Sequence, residues 1–371
     1  CLVIFASSVH SQFFFRRMRS SIHDPMFSPW FYTDRATGRD CYYRCSHCLA
    51  LACGPVSSGG RSTAQCTNNL KQIGLALHNY HSTHATFPMG ASRNISTLDP
   101  FTSHTWNNWA IHALILPYLE QTPVYQACNF DWAVWHSGRT PQGYAANLTV
   151  FNTRVATFLC PSDGKAGFGR LNNYYASCGP NTQGSSQSGN GGDSPGMFTY
   201  QRAYSIADVS DGTSNTIAFV ESLVGDTRNG THTRRNGMTG VTFVQQYNVQ
   251  ANPQIYFETM QACDAYWVSG APLNHYTSSP GTRWVMGVTG WTIASTAVPP
   301  NNRKWNACRN GCAGCGIDNT QIMNSSSLHP GGINALLGDG SVRFVKDSIN
   351  LNTWWALGTK DAGEVISSDQ F

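Results

Sequence analysis

The chain has 371 residues, a net charge of +4 and 41% hydrophobic residues, long enough for one or two domains and apolar enough for a packed core. Only 12% of its residues are charged, about half the roughly 25% usual in globular proteins, and its polarity comes instead from 35 Gly and from abundant Asn, Ser, Thr and Gln. These values exclude a coiled coil and a polybasic nucleic-acid binder, and no apolar run of the written chain reaches the ~18 residues of a membrane span.

Residues 1–63 behave unlike the rest. They hold five of the 13 Cys (Cys1, Cys41, Cys45, Cys48 and Cys53) and show no sustained periodicity. Cys41-Tyr-Tyr-Arg-Cys45-Ser-His-Cys48 contains a Cys-x-x-Cys pair, but a metal site of that kind needs a second pair at similar spacing, and none is nearby. The genetic code offers another reading. Shifted by one base, the codons of Trp30 to Ala36 permit Gly-Phe-Thr-Leu-Ile-Glu-Leu, and those of Thr37 to Pro55 permit an almost wholly apolar string of Leu, Val, Ile and Ala. The hidden string is roughly 20 residues long, enough to span a bilayer. We therefore expect residues 1–63 to be a frameshifted, disordered segment and residues 64–371 to be the folded domain.

From Ala64 the pattern becomes coherent. Leu70, Ile73, Leu77 and Tyr80 recur at spacings of 3, 4 and 3, which predicts a helix over residues 66–81 with one apolar face. Trp106 to Asn129 reads as a second helical stretch divided by Pro117 and Pro123, and Thr149 to Leu159 as a strand. Residues 179–196 are a Gly- and Ser-rich loop. Thr199 to Ala207 and Asn215 to Glu221 read as strands, with a turn at Asp211-Gly212 between them. Residues 223–320 read as a variable insertion on a β framework, with strand-like pieces at Gly240 to Gln246 and Arg283 to Ile293. Two apolar runs flank Gly338-Asp339-Gly340, a strong hairpin signal over residues 333–345. Leu351 to Leu357 reads as a short helix or strand with Trp354 and Trp355 buried in part.

Five stretches carry a resemblance. They are Gln65-Cys-Thr-Asn-Asn-Leu-Lys-Gln-Ile-Gly-Leu-Ala-Leu-His-Asn-Tyr-His81, Leu116-Pro-Tyr-Leu-Glu-Gln121, Phe158-Leu-Cys-Pro-Ser-Asp163, Asp211-Gly-Thr-Ser-Asn-Thr216 and His329-Pro-Gly-Gly-Ile-Asn-Ala-Leu-Leu-Gly-Asp339-Gly340. The chain resembles a bacterial pseudopilin-like family, domain of unknown function 1559, which also carries a solute-binding-protein label. The shifted Gly-Phe-Thr-Leu-Ile-Glu resembles the cleavage and methylation signature of type IV prepilins. The resemblance implies an α+β fold in which a long N-terminal helix packs on an antiparallel β-sheet with long loop insertions. It also implies a membrane anchor, an extracytoplasmic domain in the cell envelope, and pilin-like subunits or secretion-system components as partners. The family motif is His329, Pro330, Gly331, Gly332, Asp339 and Gly340.

The chemistry is sparse. The hairpin is expected to bring His329 near the Asp339 turn, where the imidazole caps or hydrogen-bonds the turn. Asp163, Asp211 and Asp339 are the candidates for a calcium site, since loop carboxylates suit that ion; no other cofactor is expected. No third partner completes a catalytic triad, and there is no Gly-x-Ser-x-Gly elbow and no phosphate-binding Gly loop. Glu120, Glu221 and Asp163 read as structural acids. With residues 1–63 set aside, eight Cys remain: Cys66, Cys128, Cys160, Cys178, Cys263, Cys308, Cys312 and Cys315. An even count fits disulfides in an oxidising compartment, with buried thiols or a zinc half-site at Cys308, Cys312 and Cys315 as alternatives. The function expected is a non-catalytic envelope assembly protein. A surface-displayed glycan-binding module using loops 180–196 and 223–320 is the alternative, and a secreted hydrolase ranks last.

Overall fold

The structure of the chain, a computed structural model, describes residues 58–92, 108–132, 134, 141–166, 169–183, 193–318, 320–364 and 366. The segment expected to be frameshifted and disordered lies, up to residue 57, outside the described residues; its last six residues, 58–63, are instead the first turns of a helix. In chain order the helices and strands begin with α1 (Ser58–His84), α2 (Ile111–Leu114), α3 (Thr122–Gln126), α4 (Pro141–Asn152), β1 (Tyr174–Ser177), β2 (Ile217–Glu221) and β3 (Gly237–Val241). They continue with α5 (Pro253–Val268), β4 (Tyr276–Thr277), β5 (Ile293–Ala294), β6 (Ala307–Asn310), β7 (Ile322–Met323), β8 (Gly332–Leu337), β9 (Val342–Lys346) and α6 (Leu351–Gly358). The fold is mixed α+β. None of these helices is long and apolar enough to cross a membrane.

The strands form two sheets, ordered β5-β1-β2-β8-β9 and β4-β3-β6-β7. Most neighbours are antiparallel, but each sheet contains one parallel pair, β1 with β5 and β3 with β6. A parallel pair needs a long crossover, and the segments between those strands supply it. Three strands of the second sheet, β3, β4 and β6, and α5 are built from the region read as an insertion, 223–320. Along α5 the buried residues Tyr256, Thr259, Cys263 and Trp267 recur at helical spacing, and Pro253 occupies the first turn, where its missing N–H is harmless.

The helix α1 buries Cys66, Leu70, Ile73, Ala76 and Leu77. It approaches β8 so closely that a Cβ on Gly74 would stand 2.8 Å from Leu336 Cδ1 and 3.1 Å from Gly340 Cα. Glycine, unfavourable inside a helix, is here the residue that lets helix and hairpin meet. Side chains tie α1 to other segments as well: Asn69 Nδ2 donates to the Leu159 carbonyl at 2.8 Å, and Tyr80 meets the Tyr118 ring edge-on.

Three predicted elements differ. Thr149 to Leu159 is not a strand but the end of α4 followed by a 3₁₀ turn at Ala156–Phe158. Asn147, Val150 and Phe151 are buried at helical spacing, and both bonds of the Asn147 amide reach the backbone of Asn129; this packing overrides the β-branched residues. Thr199 to Ala207 is extended but joins no sheet. It pairs with the 87–91 loop through Phe87 N to Tyr204 O and Gln201 N to Ala91 O, and ends in a Ser205–Asp208 capping box. Arg283 to Ile293 is loop with isolated bridges, and only its last residue enters β5. Trp106 to Asn129 is broken at its prolines into α2, a 3₁₀ turn at Leu116–Leu119 and α3.

The aromatic supply goes to the core. Trp109, Trp284, Trp305, Trp354 and Trp355 are all fully buried, and each indole N–H finds an acceptor; those of Trp354 and Trp355 donate to Val298 O and Ala297 O.

Candidate functional site

The strand β2 is central and buried along its length, and its last residue, Glu221, is only 2% exposed. A carboxylate inside a core must be supplied with donors. Register provides them: β2 runs antiparallel to β8 with Val220 opposite Ala335, which sets Glu221 beside Asn334. The Asn334 backbone N–H donates to Glu221 Oε2 at 2.9 Å, and its side-chain amide donates to Oε1 at 3.0 Å. His329, in the turn before β8, brings Nε2 to 3.2 Å from Glu221 Oε1. The other ring nitrogen, Nδ1, lies 3.2 Å from the Thr63 hydroxyl on α1.

A disulfide closes the cluster. Cys66 of α1 is bonded to Cys160, and Cys160 Sγ lies 3.8 Å from His329 Nε2. Ser162 Oγ stands 3.7 Å from Cys66 Sγ. Tyr174, paired with Glu221 across β1 and β2, donates its hydroxyl to the Cys66 carbonyl at 3.3 Å. Burial first, and then the Glu221 charge, push that phenol well above its ordinary pKa, so it is a neutral hydroxyl. Outside the disulfide lies a cleft of about 510 Å³ whose wall includes Gln65, Asn69, Arg154, Cys160 and Asp163.

The family motif is laid out along β8. His329 precedes this strand and Asp339 follows it, so six residues of strand separate them, ~20 Å at the usual rise of ~3.3 Å per residue. The expected approach of His329 to the Asp339 turn is thus corrected: a His and an Asp at either end of one extended strand cannot meet, and His329 meets Glu221 instead. Asp339 is exposed and accepts the Ser341 N–H at 2.8 Å. Gly331 and Gly340 have φ of 81° and 87°, the left-handed region that glycine enters freely, and a Cβ on Gly332 would lie 2.1 Å from the Val345 carbonyl. Pro330 is exposed in the turn between His329 and Gly331.

The loop acids serve protein donors. Asp163 is buried, ion-paired with Arg235 at 2.6 Å, and accepts from Asn173 Nδ2 and the N–H of Val224 and Lys165. Asp211 accepts the N–H of Ala362 and Gly363. Among the described residues, the one group of metal-ligating side chains is Cys66, Cys160, Glu221 and His329, and it contains none of these three acids.

Six of the eight expected cysteines pair, as Cys66–Cys160, Cys263–Cys308 and Cys312–Cys315. Cys128 and Cys178 correct the expectation that all eight are bridged. They are thiols without a disulfide partner among the described residues, and burial pushes each pKa up to about 12, so both are inert near neutrality. Cys308, read as part of a zinc half-site, is committed to Cys263 on α5.

Sequence reasoning singled out His329 and the cysteines but not Glu221 and Asn334 as their partners. One signal was present: Ile217-Ala-Phe-Val-Glu221 is an apolar strand that ends on an acid, and a charge on a buried strand implies a buried partner.

No curated protein and no solved structure matches the chain. A family model described as "Protein of unknown function (DUF1559)", labelled SBP_bac_10, matches residues 61–352, a span that includes most of α1, both sheets and the whole Cys66–Cys160–Glu221–His329 cluster. The chain belongs to that family of unknown function.

Proposed function

We propose that the protein is a pseudopilin-like assembly subunit of the cell envelope, without catalytic activity. The observation that carries this reading is the seating of α1, whose apolar face from Cys66 to Leu77 lies against β8 and its hairpin turn and whose first residues directly follow the stretch with the hidden apolar reading. In the shifted frame that segment continues α1 toward the N-terminus as an apolar helix with one glutamate near its start. Burying such a charge costs several kcal/mol unless it is paired, which suits a role in registering neighbouring subunits. The three disulfides favour an oxidising compartment outside the cytoplasm. The domain then faces outward, and its partners are other pilin-like subunits or secretion-system components.

The test is expression of the frame-restored gene with a prepilin peptidase. The expected result is a mass decrease matching removal of the leader before the shifted Phe, a product in the membrane fraction, and ladders of cross-linked subunits. An inserted but uncleaved protein that cross-links to nothing would overturn the reading.

A further inference from the structure

We propose that Cys66, Cys160, Glu221 and His329, once their disulfide is reduced, form a site for a tetrahedral divalent metal ion of the zinc class. Each residue offers one ligating atom, and the four atoms all lie within 4.8 Å of one another. All four residues are buried, the most accessible being His329 at 5%.

The edges of the cluster decide the ion. With zinc bonds of ~2.0 Å to N and O and ~2.3 Å to S, the edges of a tetrahedron are about 3.3 Å for N to O, about 3.5 Å for N to S and about 3.8 Å for S to S. The observed separations are 3.2 Å from His329 Nε2 to Glu221 Oε1 and 3.8 Å from His329 Nε2 to Cys160 Sγ. The S–S edge is much shorter, because a covalent bond holds it at 2.05 Å, and the other three edges lie within 4.8 Å. Disulfide and metal therefore exclude one another, and the same four side chains serve either.

The surrounding groups fit a ligand shell. A ligating imidazole needs its other nitrogen held, and in the chain as written Thr63 Oγ1 lies against Nδ1, a residue that the shifted frame replaces. A ligating carboxylate is held in turn by hydrogen bonds, and both Asn334 donors reach Glu221. Thr67 Oγ1 donates to Asn334 Oδ1 at 3.5 Å, tying that amide to α1. Two thiolates, one carboxylate and a neutral imidazole around a divalent cation leave a net charge of −1. The wall of the cleft at Cys160 is the route in.

The chemistry balances with a dithiol reductant. The reductant gives two electrons and two protons to the Cys66–Cys160 bond and becomes a disulfide itself. The two protein thiols then release their protons to solvent as the ion binds. In the reverse direction a disulfide oxidant takes two electrons from the thiolates, the S–S bond re-forms and the ion leaves. This inference does not depend on the pseudopilin reading.

Cobalt(II) is the probe. The full chain is reduced without oxygen, freed of reductant and titrated with the ion. We expect tetrahedral d–d absorption with a thiolate-to-cobalt charge-transfer band, displaced by Zn²⁺ and absent from the unreduced chain. The band should be lost in Cys66→Ser and His329→Ala, retained in Cys312→Ser/Cys315→Ser, and shifted to 10–100-fold weaker affinity in Asn334→Ala. No tetrahedral band in the reduced wild-type chain overturns the proposal without recourse to any variant. So does a band that survives Cys66→Ser, which would place the ion on other thiols.

Discussion

Glu221 closes an apolar strand with a charge, and three donors depend on it: the Asn334 N–H, the Asn334 amide and His329. Truncation leaves all three buried without an acceptor, and losing one side of a buried charged network costs roughly 3–5 kcal/mol. Glu221→Ala should lower the unfolding free energy by that amount, seen as a lower denaturation midpoint at unchanged m-value, and Glu221→Gln, which keeps an acceptor oxygen, by less. A second buried group sets a pH dependence. Burial lowers the His112 pKa from 6.5 to about 4, although its Nε2 lies 2.8 Å from the Tyr174 carbonyl. The unfolded chain takes up this proton first as pH falls. The stability linked to His112 is therefore fully present above about 6.5 and is lost as pH drops toward 4, a change of about 3 kcal/mol. Wild type and His112→Gln compared by urea unfolding at pH 7 and pH 4.5 should differ in slope; equal slopes would contradict the assignment.

At the scale of elements, α1 and the C-terminal hairpin carry the seat of the helix. The apolar spacing of Leu70, Ile73 and Leu77 and the Asp-Gly between two apolar runs made both legible, because each rests on local chemistry. Gly74 was legible only as an interruption; its reason is the approach of Gly340 and Leu336, hundreds of residues away in sequence. In an exposed helix Gly→Ala gains about 1 kcal/mol. Here Gly74→Val should instead destabilise by about 1–3 kcal/mol through overpacking, measured as a lower Tm. The helix α5 was missed although Tyr256, Thr259, Cys263 and Trp267 mark its face, because Gly, Asn, Pro and Thr loops on both sides obscured a single helix of 16 residues. The strand expected at Thr149 to Leu159 failed for the opposite reason: a local β preference was outvoted by the burial of Val150 and Phe151 and the Asn147–Asn129 bonds.

Across the molecule, sequence distance is what hid the arrangement. Both parallel strand pairs, and the meeting of Cys66 with Cys160 and of Glu221 with His329, join residues too far apart for any periodicity to report. The Cys66–Cys160 bridge spans 94 residues and ties α1 to the segment before β1. Closing so long a loop restricts the unfolded chain, so Cys66→Ser/Cys160→Ser should lose about 2–4 kcal/mol under oxidising conditions, read by chemical denaturation. The family motif likewise became intelligible only as one strand, with His329 at the Glu221 end and Asp339 at the turn under α1.

The central claim is that α1 continues into an apolar anchor. Mass spectrometry of the native protein from the envelope fraction tests it most directly, at the codons for residues 26–64. The account predicts peptides in the shifted frame, such as Ser-Ala-Arg-Glu-Ala-Ala-Arg-Arg leading into the Cys66 helix. Peptides that read residues 30–60 as written, joined without interruption to Gln65 and Cys66, would contradict it.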